Sequence, residues 1–326
     1  MSRRRDMGAD GTRSAAPRVA RYAVPVAVLI AVNPVSGRGR AARAADALAA
    51  GLSRAGIACS TIATARDSAS AWLRPKLEGA TALVVVGGDG AVRSVAHEAA
   101  LARVPLWHAP MGTENLFARH FGMTADIATV AGALERRIAT VMDVGAVTID
   151  GAEVAAGHFA IMASVGFDAE VVHALARRRI GAITHRSYLP AMLECAAGWR
   201  PPELSWTIDG ETERLGRGMV VIGNLPEYGV RLNPTPDARR DDGALDAVFL
   251  PADGGWSAIA WMPVLRLGMH GAHPSVRFRR GARIEVHAST PARMQIDGDP
   301  AGPPEGVRML RLEVAPARLS VLLPPR

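Results

Sequence analysis

The run Leu83-Val84-Val85-Val86-Gly87-Gly88-Asp89-Gly90 constrains the fold more than any other stretch of this chain. A short apolar run bounded by turn residues reads as a buried parallel strand, and the pattern that follows predicts a helix over Ala91–Ala102. Gly87, Gly88 and Gly90 can take up positive φ and leave backbone N–H groups bare. The helix start adds unpaired N–H donors and the positive end of a dipole. The expected product is an anion site beside one carboxylate, Asp89. The competing reading is a strand-to-helix turn that binds nothing. Position favours a site, because ligands of doubly wound sheets sit outside the carboxyl ends of the strands.

The surrounding pattern supports such a sheet. Strands are expected at Val26–Val32, Ala58–Thr64, Ala82–Val86 and Leu106–Ala109, alternating with helices at Ala41–Ala55, Ala69–Glu78, Ala91–Ala102 and Thr124–Arg137. This alternation predicts an α/β domain with a parallel, doubly wound sheet. After Met142 short strands are expected at Val144–Ile149, Phe159–Ser164, Leu204–Ile208, Met219–Gly223 and Arg283–Val286, punctuated by Asp-Gly and proline-rich turns. Helical stretches near Ala169–Gly198 and Trp256–Leu267 interrupt this mostly β region. The expected division is a basic tail without fixed structure (1–21), an α/β domain (22–143) and a β domain (144–311). At 326 residues the chain is long enough for two cores.

Charge and composition exclude several function classes. The net charge is +7, but six arginines against Asp6 and Asp10 in the first 21 residues account for +4 of it. The tail and Ala23–Val32 imitate a signal peptide. However, that run leads into Asn33-Pro34-Val35-Ser36-Gly37 instead of a small-residue cleavage site, so a first strand is expected. No apolar stretch has the length of a transmembrane helix, and any membrane contact is expected to be peripheral. Cys59 and Cys195 offer neither a disulfide framework nor metal spacing, which points to a reducing, cytoplasmic setting. The single lysine, Lys76, lies far from any glycine loop, and this excludes a P-loop and the lysine-based protein kinase site. The nine histidines lack metal-ligand spacing, with His270 and His273 read as surface residues. Nucleic acid is not an expected partner, because basic and aromatic residues are not interleaved. Arg177-Arg178-Arg179 suits either a solvated helix face or anionic lipid headgroups.

Other turns stand where ligands would bind. Gly37, Gly39 and Ala42 match G-x-G-x-x-A, but the acid expected about twenty residues on in a dinucleotide site is missing around Cys59–Thr64. Pro110-Met111-Gly112-Thr113-Glu114-Asn115 ends the fourth strand and opens another helix. There Thr113 can cap the helix or bind phosphate, and Asn115 can hold the turn or a nucleoside edge. Asp241-Asp242-Gly243-Ala244-Leu245-Asp246 suits either a hard cation or a plain hairpin turn. Gln295-Ile296-Asp297-Gly298-Asp299 also reads as a hairpin, which leaves Asp299 without a role.

Taken in order, Asn33–Gly37, Gly87–Gly90 and Pro110–Asn115 resemble the diacylglycerol kinase catalytic-domain family, especially its bacterial soluble lipid kinases. Ser164-Val165-Gly166-Phe167-Asp168-Ala169, Gly223-Asn224, Asp241–Asp246 and Asp297-Gly298-Asp299 continue the likeness, which runs from about Val24 to the C-terminus. The resemblance implies an N-terminal α/β nucleotide domain and a C-terminal β-sandwich, with the chain returning to the first domain over 312–326. It implies an ATP-dependent lipid kinase with a diacylglycerol-like or sphingoid acceptor, using ATP and Mg²⁺. The ATP contacts are then Asn33, Pro34, Val35, Ser36, Gly37, Thr64, Gly87, Gly88, Asp89, Gly90, Ala91, Val92, Arg93, Gly112, Thr113 and Asn115. The Asp242 carboxylate and the Arg239 and Ala244 carbonyls are the implied holders of a structural Mg²⁺. Asp299 is the implied catalytic acid with Asp297 nearby, and Asp89 a metal or phosphate organiser. The implied partners are a lipid at a membrane surface, with a homodimer left open. Two departures stand out. Glu114 and Leu116 replace the family's usual Ala and Asp, and Asp299 replaces its usual Glu. A catalytically impaired nucleotide- or lipid-binding protein is therefore the alternative, with an NAD kinase third.

Overall fold

A computed structural model of the protein describes residues 28–65, 67–153, 155–178 and 185–325. The expected basic tail and Arg179 lie outside them. The first lobe comprises β1 (Val28–Val32), α1 (Arg40–Arg54), β2 (Cys59–Ala63), α2 (Ala69–Trp72), α3 (Arg74–Leu77), β3 (Ala82–Gly87), α4 (Asp89–Ala102), β4 (Leu106–Pro110), α5 (Leu116–Phe121), α6 (Ile127–Arg136) and β5 (Ala139–Met142). Every residue of β1 and β3 is buried. Helices cover both faces of such a sheet, which is why these strands read as unbroken apolar runs. On α1, Ala41, Ala45, Leu48 and Leu52 form the buried stripe that docks on the sheet. The expected helix 69–78 is instead split at Leu73, because Pro75 lacks an N–H and crowds the carbonyl one turn back. Asp126 caps α6, accepting from the Thr129 N–H at 2.9 Å, so this helix starts later than expected.

The second lobe contains β6 (Gly145–Ile149), β7 (Gly157–Phe159), β8 (Met162–Val165), α7 (Phe167–Arg177), α8 (His185–Gly198), β9 (Glu203–Ile208), β10 (Glu211–Gly223), β11 (Leu245–Pro251), α9 (Gly255–Arg266), β12 (Arg277–Gly281), β13 (Arg283–Ala292), β14 (Met294–Ile296), β15 (Asp299–Ala301) and β16 (Val307–Val314). The last strand, β17 (Leu319–Leu322), closes the first sheet in the order β2-β1-β3-β4-β17-β5, running parallel to β4 and antiparallel to β5. The return therefore begins later than Leu312, since β16 as far as Val314 pairs with β13 and β6 in the second lobe.

The second lobe is an antiparallel β-sandwich, and β10 joins its two sheets. The early half of β10 pairs with β9 and its later half with β8 and β11, with a register shift between Arg214 and Gly216. The period-two alternation of the strand then sorts its side chains. Val220 and Ile222 enter the sandwich core with Trp206, Phe249 and Leu312, whereas Met219 and Val221 face the layer of α7, α8 and α9 and join the core shared with the first lobe. The expected strand 159–164 is instead two strands, β7 and β8, because the backbone at Ala160–Met162 turns its N–H groups to a buried carboxylate.

Candidate active site

Three strand-to-helix turns meet at the carboxyl edge of the parallel sheet. Gly112 packs against Gly88 so closely that a Cβ would lie 2.6 Å from the Gly88 Cα, and Gly37 rests on the Met111 carbonyl. Only glycine permits backbone to approach backbone in this way. Asn115, with φ of 50°, closes the third turn by accepting from the Gly112 N–H at 2.8 Å and donating to the Gly112 carbonyl at 3.0 Å. Behind them His108 is fully buried and donates through Nε2 to the Gly87 carbonyl at 2.9 Å. Burial pushes the His108 pKa down, which favours the neutral ring.

Asp89 joins two of these turns. Its Oδ2 accepts from the Leu116 N–H and its Oδ1 from the Phe117 N–H, both at 3.0 Å. The carboxylate thus caps the start of α5 and fixes Leu116, which is buried along the cleft. The expected carboxyl group of the glycine turn is here a brace between β3 and α5.

The other acids arrive from the far end of the chain. In the β14–β15 hairpin, Asp297 and Gly298 occupy the two left-handed positions at φ of 48° and 81°. Asp297 is buried, and its carboxylate accepts from the N–H groups of Ala160 at 2.8 Å, Ile161 at 2.9 Å and Met162 at 2.8 Å. Burial pushes its pKa up to about 6, against the pull of those donors and of Arg93. Asp297 is therefore a positioning residue, which locks the β7–β8 corner to the hairpin. Asp299 instead lies open beside the glycine turn. Its Oδ2 is 3.0 Å from a guanidinium nitrogen of Arg93, and a Cβ on Gly90 would lie 2.7 Å from it. Arg93, expected on ATP, thus stands between the two lobes as the partner of Asp299.

A cleft of about 600 Å³ opens from this junction. One end is lined by Asn33, Ser36, Gly37, Gly88–Ala91 and Gly112–Glu114, the middle by Asp297–Asp299, and the other end by Phe167, Val171, Tyr188, Met192, Met219, Val221, Leu250, Met262 and Leu265. A polar, glycine-rich end and a deep apolar end therefore meet at this hairpin, where Asp299 carries the more open of the two carboxylates. Val35 also lines the cleft although it is largely exposed, whereas Pro34, Thr64, Gly87, Val92, Arg93 and Asn115 do not. Thr64 follows β2 directly and donates its N–H to the Val32 carbonyl at 2.8 Å, and Val92 is buried on α4.

The acidic turn lies elsewhere. The Asp242 carboxylate accepts from the Ala244 N–H at 3.3 Å and is ion-paired with Arg280. Asp143 and Arg318 hold the same turn, through the Gly243 N–H and the Asp241 carbonyl respectively. Among the described residues no three acidic, histidine or cysteine side chains converge to hold a metal. Arg280 is shared between Asp242 and, at 3.9 Å, Asp246, so Asp242 with the Arg239 and Ala244 carbonyls would hold a Mg²⁺ only where the guanidinium gives way.

Two residues of the site escaped role assignment from sequence. Asn224 donates to the carbonyls of Asp143 at 2.8 Å and Ala160 at 2.9 Å, stitching the lobes together behind the cleft. Asp168 accepts from Ser164 and, at 3.3 Å, from Gln295, which in turn accepts from the Gly298 N–H at 2.8 Å. Burial raises the Asp168 pKa. Both residues stand in short motifs noted in the sequence, but their partners are distant along the chain.

The relationships of the chain agree with this geometry. Residues 27–147 match the family model "Diacylglycerol kinase catalytic domain", and residues 161–323 match "YegS C-terminal NAD kinase beta sandwich-like domain". A Mycobacterium tuberculosis protein named "Diacylglycerol kinase" is 30% identical over 299 residues, covering 90% of this chain and 93% of its own. A Xanthomonas euvesicatoria protein named "Probable lipid kinase YegS-like" is 30% identical over 263 residues, covering 76% and 80%. A solved Bacillus anthracis structure has a TM-score of 0.71 at 20% identity over 92% of this chain and 96% of its own, and yeast NADH kinase has 0.51 at 10% identity over 92% and 84%. At those identities the two structures speak for the fold alone. The family models and the mycobacterial relative, which between them span both lobes of the cleft, show that the chain belongs to the diacylglycerol kinase catalytic-domain family of lipid kinases.

Proposed function

We propose that this chain transfers the γ-phosphoryl group of ATP to a hydroxyl group of a lipid. The observation that carries this reading is the place of Asp299, against Gly90 and Arg93 and between a polar, glycine-rich turn cluster and a deep apolar groove. Phosphoryl transfer asks for positioning and charge neutralisation more than for covalent chemistry. Backbone N–H groups of Gly88–Gly90 and the Asn33–Gly37 turn would cradle the phosphates, with Thr113 beside them. ATP enters as its Mg²⁺ complex, whose cation neutralises phosphate charge. The acyl or sphingoid chain would lie along Phe167, Val171, Met192 and Met262, with its hydroxyl beside Asp299. That hydroxyl attacks the γ-phosphorus as its proton passes to Asp299, the bond from the γ-phosphorus to the bridging oxygen breaks, and ADP leaves. Arg93 would hold the carboxylate in line.

The test is incubation of purified protein with γ-labelled MgATP and a panel of diacylglycerols, sphingoid bases, ceramides and NAD. Label is expected in one lipid class and not in NAD, with Asp299→Asn lowering the rate on the order of 100-fold or more. Leu116 supports a second reading. Where the family commonly carries an aspartate, this chain lines the cleft with a buried leucine, as a nucleotide- or lipid-binding protein without turnover could. ATP binding with no labelled lipid would establish that reading and overturn the first.

A further inference from the structure

The helices that cover the apolar end of the cleft turn a second apolar surface outward. On α8, Tyr188 and Met192 line the cleft, whereas Leu189 and Leu193, one turn apart, are 55% and 43% exposed. On α9, Ala258, Met262 and Leu265 line the cleft, whereas Trp256 is 61% exposed. The two helices pack tightly: a Cβ on Gly255 would lie 2.3 Å from the Ala196 Cα, which sets Trp256 beside the turn that follows Leu193. Adjacent exposed side chains of this size are unusual on a protein surface.

The charges around this patch indicate what covers it. Arg177 ends α7, Arg200 follows α8 and Arg266 ends α9, all three exposed. Among the described residues none of them has a carboxylate within 4.0 Å, whereas Glu194, the acid on α8, is already paired with Arg178. Arg266 is the single charged residue of α9, whereas Asp253, just before that helix, and Glu203, just after Arg200, are exposed acids, leaving three arginines against two carboxylates. The rim is therefore net positive around an apolar centre that holds a tryptophan. That combination is complementary to an anionic bilayer, in which indole rings favour the headgroup level and each nearby arginine adds attraction. The same helices wall the groove that ends at Asp299, so a lipid entering from a surface below them would not cross open water.

We propose that the face formed by Leu189, Leu193 and Trp256, ringed by Arg177, Arg200 and Arg266, docks on the surface of an anionic phospholipid bilayer. This proposal rests on the lipid-kinase reading and adds to it where the protein sits when it collects its acceptor. None of the three apolar residues lines the cleft, so the face can be altered without touching the site of transfer.

The test uses the full chain with phosphatidylcholine vesicles with and without phosphatidylglycerol, and assays kinase activity on a long-chain acceptor in those vesicles and on a short-chain, water-soluble one. Binding is expected to be tighter on the anionic vesicles and to weaken with salt. Leu189→Glu with Leu193→Glu should weaken it on the order of 100-fold and cut activity on the vesicle-borne acceptor, with activity on the soluble acceptor unchanged. The fluorescence lost between wild type and Trp256→Phe should be quenched by brominated lipid. Vesicle binding within twofold of wild type for the double variant, or no quenching of the Trp256 signal, would overturn the proposal. So would a wild-type dimer that the double variant splits without change in vesicle binding, because a second copy would then cover the face. Activity on the soluble acceptor with no docking by this face sinks the proposal alone. Absence of activity on both acceptors sinks the kinase reading as well.

Discussion

Asp297→Asn separates a structural carboxylate from a chemical one and carries its own pH signature. In the wild type, Asp297 Oδ1 accepts from Ile161 and Met162, and Oδ2 accepts from Ala160. Asparagine can keep the first oxygen but must turn an NH₂ group toward the Ala160 N–H, leaving that buried donor without an acceptor at a cost of about 1–3 kcal/mol. The pH dependence comes from the wild-type side. Burial raises the folded-state pKa from 3.8 to about 6, so the folded chain binds a proton that the unfolded chain releases. The stability linked to that proton is complete below the unfolded pKa and is lost as the pH rises through about 6. With those two values the wild type should lose on the order of 1 kcal/mol from this group between pH 5 and pH 7. The asparagine variant, which cannot titrate there, should not.

The measurement is a pair of urea unfolding curves at each pH, with the difference between wild type and variant taken at pH 5 and again at pH 7. Other titrating groups are common to both proteins and cancel. The gap should be wider at pH 5. An unchanged gap would mean that the three N–H donors and Arg93 outweigh burial and hold the carboxylate at or below its usual range, so that its titration is complete below pH 5. That result, or a gap that widens toward pH 7, refutes the argument that burial dominates at this corner.

Gly90→Ala places a Cβ 2.7 Å from Asp299 Oδ2, so the carboxylate must shift, and kcat should fall roughly 10- to 100-fold with little change in melting temperature. A variant of wild-type activity would remove Asp299 from the chemistry. Gly112→Ala is expected to act on folding instead, because its Cβ meets the Gly88 Cα at 2.6 Å and neither backbone can yield; a loss of about 1–3 kcal/mol in denaturant unfolding is expected. Chelation of divalent cations should leave the melting temperature of the ATP-free protein unchanged, since Arg280 already balances Asp242, and a drop of several degrees on adding EDTA would show that the turn holds a metal.

The parts of the site legible in the sequence are those whose physics is local. Strand β3 announces itself because both its faces are buried, and the glycines after it are required by a contact with the third turn that the backbone itself makes. Once a parallel sheet is inferred, the three turns must share one edge, so their convergence needs no further information. Strand β5 lacks such a signal: it is a short, half-exposed edge that pairs only with β17, nearly the whole length of the lobe away. The same reason hides the roles of the carboxylates. Asp297 and Asp299 lie two residues apart in one hairpin, yet the left-handed turn at Asp297 and Gly298 sends one to three backbone N–H groups of the β7–β8 corner and leaves the other, at the start of β15, to Arg93, 206 positions earlier. Residue type and spacing give the pair, but only the folded partner divides structural brace from proton acceptor. Asp89 makes the converse point, since a carboxylate among glycines resembles a phosphate or metal organiser until both its oxygens are found on the first N–H groups of α5. The groove is hidden for another reason, because Phe167 on α7, Met192 on α8 and Met262 on α9 each read in sequence as part of an ordinary apolar helical face, and only the packing of the three helices shows that they line one cleft. The chemistry proposed for Asp299 thus depends on two long-range placements, the return of β14 and β15 to the glycine turn and the roof of helices beside it, and either could be lost with every short motif intact.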